Sequence, residues 1–173
     1  MTELRESAVL VPLYRDAAGE LRLVLVRRVR RGVHGGQLAF PGGLVEPDDR
    51  SPRETALREA EEEIGLVPAA VEVLGELPIV DTVTTGYRIA PFLARIERPD
   101  RWRRQVSEID EVLDVPLATF RPENHTETLE DFPTWSEPRR FPCYRVGPHQ
   151  LWGASYRILH PLLPRLAAGE WEV

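Results

Sequence analysis

The chain has 173 residues, 42% of them apolar and 29% charged, the composition of one soluble globular domain with a sizeable core. Its 22 basic residues, all arginine, against 28 acidic ones leave a net charge of −6, which argues against a protein that coats nucleic acid or lies on an anionic membrane. A single cysteine, Cys143, and four scattered histidines, His34, His125, His149 and His160, exclude an intrachain disulfide and a Cys-rich zinc site.

No apolar run approaches the roughly 20 residues of a membrane-spanning helix. The opening stretch MTELRESAVLVPLYR is charged early and only briefly apolar, unlike a secretory leader. A cytoplasmic location is therefore expected, with residues 1–173 forming one domain.

Ser7 to Tyr14 and Leu21 to Val26 are rich in aliphatic and β-branched side chains, and Arg15 to Glu20 between them carries Asp16 and Gly19. Together they predict a β-hairpin. Arg27, Arg28, Arg30 and Arg31 then break the apolar pattern. From Gly32 to Gly43 a short strand, Gln37 to Phe40, is flanked by glycines; five glycines in twelve positions demand sharp turns or very close backbone approach. Ser51-Pro52-Arg53-Glu54 is a capping box, with Ser51 as N-cap, Pro52 at the first helical position and Glu54 reaching back. The helix should run to about Ile64, where Gly65 takes the left-handed cap and Pro68 prevents continuation. Leu57, Ala60 and Ile64 mark its core face.

Further on, Ala70 to Leu74 and Tyr87 to Ile96 read as strands, the second long and central. Glu108 to Leu113 reads as a short turn or helix leading to Asp114-Val115-Pro116-Leu117. Arg121 to Arg140 reads as a polar surface loop and Phe141 to Val146 as a strand. Trp152 to Leu166 reads as an amphipathic helix bent or ended by Pro161 and Pro164.

The chemistry concentrates on the capped helix. At about 100° per residue Glu59, Glu62 and Glu63 share one face, while Glu61 points elsewhere. Three carboxylates at this spacing repel one another, more strongly once partly buried. Arg58, four residues before Glu62, neutralises one of them; the rest form an all-oxygen nest suited to Mg²⁺ or Mn²⁺. A glutamate-rich helix face is commonly just solvated. The glycine-tight loop before the helix and the basic run near it favour a divalent-metal phosphate site, where metal-activated water attacks phosphorus without a nucleophilic side chain.

Gly43 through Leu66 resembles the Nudix box, Gly-x5-Glu-x7-Arg-Glu-U-x-Glu-Glu-x-Gly-U with U a bulky aliphatic residue. Arg58-Glu59-Ala60-Glu61-Glu62-Glu63-Ile64-Gly65-Leu66 keeps its core. Asp49 replaces the first glutamate, the second spacer is one residue longer, and Ala60 is small. Those departures resemble the coenzyme A pyrophosphatase branch, as does Gly36-x3-Phe40-Pro41-Gly42-Gly43 with His34-Gly35-Gly36-Gln37. The upstream half of that branch's motif is degraded, with Leu25 for Thr, Arg28 for Ser and Gly32 for Arg. Glu108 to Val112 before Val115-Pro116-Leu117, and Leu151-Trp152-Gly153-Ala154, also look like this branch.

The resemblance implies an α+β Nudix fold, a mixed β-sheet sandwiched between helices (α/β/α). It implies Glu59, Glu62 and Glu63 as catalytic metal ligands, joined by the Gly43 carbonyl, with Mg²⁺ or Mn²⁺ as cofactor. Arg58 would orient Glu62, and Asp49 would brace the loop against Arg58 or serve only the helix dipole. Glu108, with Asp110 and Glu111 nearby, would be a further ligand or base, or else part of a solvent-facing turn. The implied reaction splits coenzyme A, or its derivatives, into 3′,5′-ADP and 4′-phosphopantetheine, with Arg27, Arg28 and Arg31, beside Arg30, as the supply of phosphate-binding groups. Phe40 and Pro41 are expected to pack and turn, and Cys143 to be a small buried side chain. Two other readings stay open: a Nudix hydrolase for ADP-ribose, a dinucleoside polyphosphate or a damaged nucleoside triphosphate, and a Nudix-fold sensor that binds without hydrolysing. The expected partner is a small nucleotide diphosphate, with no nucleic acid and no membrane; a homodimer is compatible with the reading.

Overall fold

The computed structural model describes residues 4–31, 35–82 and 85–173. Two strands, β1 (Arg5–Arg15) and β7 (Tyr87–Ile96), run parallel along nearly their whole length and form the spine of the main sheet. β2 (Leu21–Arg28) folds back on the second half of β1 with Leu13 opposite Leu23. In the turn between them the Asp16 carboxylate accepts from the N–H groups of Ala18 and Glu20 at 2.9 and 3.0 Å, the local bonding that makes aspartate a turn residue.

The first half of β1 pairs instead with a glycine segment, β4 (Gly42–Leu44), after the two-residue β3 (Leu38–Ala39) has paired with β2. β5 (Val71–Glu76) and β6 (Val80–Asp81) pair with β7, and β8 (Ile109–Pro116) pairs with β2, giving an eight-stranded mixed sheet among the described residues. Side chains alternate across this sheet, as the two-residue strand period requires. Ala8, Leu10, Val24, Val26, Phe92 and Ala94 pack toward α1 (Pro52–Ile64). Val11, Leu13, Leu23, Leu25 and Leu93 pack the other way, against α2 (Gly153–Ala167). That second layer also holds a small antiparallel sheet of β9 (His125–Glu130), β10 (Arg139–Val146) and β11 (His149–Leu151). The fold is α+β, with the mixed sheet between its two helices.

Four expectations need correcting. Ile109–Pro116 is a strand, not a turn or helix; its Asp110 and Glu111 sit on exposed positions while Ile109 and Val115 enter the core. The stretch from Arg121 to Arg140 contains β9, a strand of the small sheet whose Thr128 is buried. On α1 the buried stripe is Ala56, Ala60, Glu63 and Ile64, with Leu57 only partly covered. α2 passes through Pro161 and Pro164 unbroken. The carbonyls those prolines leave without a helical donor belong to Arg157 and His160, both exposed, so water is available to them.

Candidate active site

The site forms where β4 meets the buried face of α1. β4 lies against β1 with Val9 opposite Gly42 and Ala8 opposite Gly43. A Cβ on Gly42 would strike the Ala8 carbonyl, and one on Gly43 would strike the Glu59 carboxylate. At Gly42 the backbone leaves no room for a side chain, and a side chain at Gly43 would push the Glu59 carboxylate aside.

α1 is anchored at both ends. The Ser51 hydroxyl accepts from the Glu54 N–H at 3.2 Å, and the Glu54 carboxylate reaches back to the N–H of Arg50 at 2.9 Å, one residue earlier than the usual reciprocal bond. Gly65 closes the helix in the left-handed conformation, φ 73°, its N–H bonded to the Glu61 carbonyl.

Arg58 ties helix to loop. Its guanidinium donates to both oxygens of Asp49 at 2.9 Å, to the Leu44 carbonyl at 3.1 Å, to Glu59 at 3.2 Å and to Glu62 at 3.3 Å. Asp49 also accepts from the Glu46 N–H and the Thr55 hydroxyl. The Arg58 hydrogen bonds hold the Asp49 carboxyl well below the usual carboxylate range, and Arg58 is held correspondingly above its own.

Glu63 is in the opposite condition. It is 1% exposed, accepts from the Gly42 N–H at 3.1 Å, and its Oε1 is buried without a partner among the described residues. Burial pushes its carboxyl up to about 8; the charge of Arg28 and the Gly42 bond oppose the shift, and Glu59 and Glu108 reinforce it. Burial also raises Glu59, against the pull of Arg58 and with repulsion from Glu62 and Glu108.

Glu59, Glu63 and Glu108 line one cavity of about 630 Å³, together with Gly43, Glu46 and Arg28, a volume typical of small-molecule sites. Glu62 lies on the exposed flank of α1, drawn to Arg58. Among the described residues no three carboxylate, imidazole or thiol groups stand close enough together to hold an ion as they are. Even so, the orphaned Glu63 oxygen, the Glu59 carboxylate lodged on the Gly43 backbone and the purely oxygen donor set fit Mg²⁺ or Mn²⁺.

The arginines expected to hold phosphate part company. Arg28 lines the cavity. Arg27 is not part of that lining and turns to β8, with Asp110 at 2.7 Å and Glu111 at 3.4 Å. A register shift between Arg27 and Arg28 in the pairing with β8 marks the divergence. Arg31 sits exposed in a turn, its N–H bonded to the Val29 carbonyl. Gly32 and His34 lie outside the described residues. Cys143 is fully buried, and burial raises its thiol.

The far wall of the cavity was not anticipated. Phe132, Trp135, Phe141 and Trp152 line it in mutual contact, Phe132 with Trp135 at 4.6 Å and Phe141 with Trp152 at 5.1 Å between ring centres. Arg157 on α2 lines it as well. The Leu151–Ala154 stretch was the one signal that led toward this wall, and it stops three residues short of Arg157.

The NUDIX domain profile matches residues 4–135. The chain belongs to the Nudix family. It is 44% identical over 114 residues to the uncharacterized Nudix hydrolase NudL of Escherichia coli, a stretch covering 66% of this chain and 58% of that relative. Among solved structures it is similar to the Nudix hydrolase RenU from M. smegmatis, with a TM-score of 0.67 at 15% identity over 100% of this chain and 91% of that one. It is also similar to a C. elegans Ap4A hydrolase, with a TM-score of 0.56 at 19% identity over 66% of this chain and 82% of the other. At such identities these structures share the Nudix fold. No helix among the described residues is long and apolar enough to cross a membrane.

Proposed function

We propose that this Nudix protein is a metal-dependent pyrophosphohydrolase acting on a nucleoside diphosphate-linked compound, with coenzyme A or its derivatives as substrate. The observation that carries the reading is the pairing of Gly42 with Glu63 and of Gly43 with Glu59, which sets two underneutralised carboxylates in the lining of a cavity that also has an aromatic wall. Membership of the family and the Gly36-x3-Phe40-Pro41-Gly42-Gly43 stretch support the same reading.

Bound Mg²⁺ or Mn²⁺ supplies charge neutralisation on the diphosphate and acidifies water at neutral pH. In this reading Glu59, Glu63 and the Gly43 carbonyl hold the ion, with Glu62 turning in from Arg58. Asp49 fixes Arg58, and through it the β4 loop, so the carboxylates keep their places. Glu108 faces Glu59 and Glu63 across the cavity and accepts the proton of the attacking water. Arg28 draws the diphosphate in and offsets charge on the departing phosphate.

Turnover of coenzyme A, ADP-ribose, NADH, diadenosine polyphosphates and 8-oxo-dGTP, each with Mg²⁺ and with Mn²⁺, tests this directly. Coenzyme A should be consumed fastest, yielding 3′,5′-ADP and phosphopantetheine by mass, and Glu62→Gln should abolish it. Preference for another diphosphate would retain the hydrolase and remove coenzyme A. Metal binding with no turnover would favour a sensor.

A further inference from the structure

The cavity has a second polar corner that diphosphate chemistry leaves unused. Gly153, Ala154 and Ser155, the first turn of the fifteen-residue α2, line it. That turn has no side-chain cap and no acidic residue, so unsatisfied N–H groups and the positive end of the helix dipole stand at the cavity wall.

The Ser155 hydroxyl points independently to a ligand. Ser155 is only 9% exposed and lines the cavity, and its hydroxyl, without a hydrogen-bond partner among the described residues, is open to the cavity. Arg157 adds charge to the same cavity. Its Nη1 donates to the Asp81 carbonyl at 2.8 Å, which leaves its other donors for the cavity it lines. The carboxylate of that same Asp81 is already held by Arg88 through bonds of 3.0 and 3.1 Å. Arg157 therefore has no ion-pair partner of its own among the described residues.

We propose that α2's first turn, the Ser155 hydroxyl and Arg157 bind a phosphate monoester carried on the nucleotide half of the substrate, beyond the scissile diphosphate. The assignment rests on the diphosphatase reading above and gives it a specificity element. Trp152, immediately before the helix, supplies the apolar surface against which the neighbouring base stacks. Arg157, rather than the arginines that follow β2, reads the extra phosphate.

Calorimetric binding of 3′,5′-ADP and of 5′-AMP to the full chain in EDTA tests the site without turnover. The wild-type chain should bind 3′,5′-ADP about tenfold to a hundredfold more tightly, the range of a charge-assisted contact. Arg157→Gln should shrink that preference to within about threefold with 5′-AMP affinity unchanged, and Ser155→Ala should shrink it by a smaller factor. Arg53→Gln, an exposed change on α1, should leave it intact. Equal binding by the wild-type chain, or a full preference in an Arg157→Gln chain with native circular dichroism, overturns the assignment. A preference abolished by Arg157→Gln in a chain that hydrolyses no diphosphate upholds the site and removes the hydrolase reading instead.

Discussion

Asp114 and Glu63 are both acids withdrawn from water, and the protein treats them in opposite ways. Asp114 accepts from the Tyr14 hydroxyl at 2.8 Å, from Arg98 at 2.8 and 3.1 Å, and from the Trp102 indole at 2.9 Å. Burial works against its charge, but Arg98, Trp102 and Tyr14 outweigh it and keep the carboxyl below its ordinary value. Glu63 has one backbone N–H and an oxygen with nothing to accept from among the described residues. A fold that satisfies one half-buried carboxylate four times over and leaves an oxygen of another without a partner among the described residues separates support from chemistry.

Exchanging the two acids for their amides sharpens that contrast. Glu63→Gln should lower kcat by about a hundredfold to a thousandfold, the size of losing one preorganised electrostatic contact. Its melting temperature in EDTA near pH 7 should not fall, because the wild-type carboxyl is already largely protonated there; a large drop in stability would make Glu63 a structural acid after all.

The pH dependence of stability comes next in size. Glu63 is raised from 4.5 to about 8 in the fold, so between those values the folded chain keeps a proton that the unfolded chain has released. Its contribution is therefore complete below pH 4.5 and lost as pH climbs through 8, a change on the order of a few kcal/mol. Urea denaturation in EDTA should show this decline, and Mg²⁺, which favours the ionised form, should reverse it. A flat profile shared by wild type and Glu63→Gln would remove the distinction between the two acids.

Asp114→Asn should cost about 1–3 kcal/mol of stability by stripping Arg98 of its partner, while kcat at 25 °C stays near wild type. Ser51→Ala is the smallest change. Losing the bond to the Glu54 N–H should cost about 1 kcal/mol by denaturant titration and leave the cavity's chemistry alone.

The Glu63 wall of the cavity is legible in the sequence and the aromatic wall is not. α1 announces itself through Ser51, Pro52 and Gly65, because caps are local chemistry, and the helical period alone puts Glu59 and Glu63 on one face. β8 was hidden because Glu108, Asp110 and Glu111 crowd its start, and a strand with one wet face tolerates charge that reads as turn. β9 lay unseen in a polar segment for the same reason. Phe132, Trp135 and Phe141 sit in and beside a proline-containing segment with no periodicity; only pairing of β10 with β9 and β11 brings them to Trp152. Arg27 and Arg28 are neighbours in sequence, yet the register shift at β8 lets one face Asp110 and the other the cavity.

Titration of Mn²⁺ into the EDTA-stripped chain, in buffers of differing ionisation enthalpy, tests most directly whether the unpaired acid awaits a cation. At pH 7 binding should release about one proton per chain, a release that fades above pH 9 and disappears together with tight binding in Glu63→Gln. Mn²⁺ binding without proton release, or undiminished in Glu63→Gln, would contradict the account.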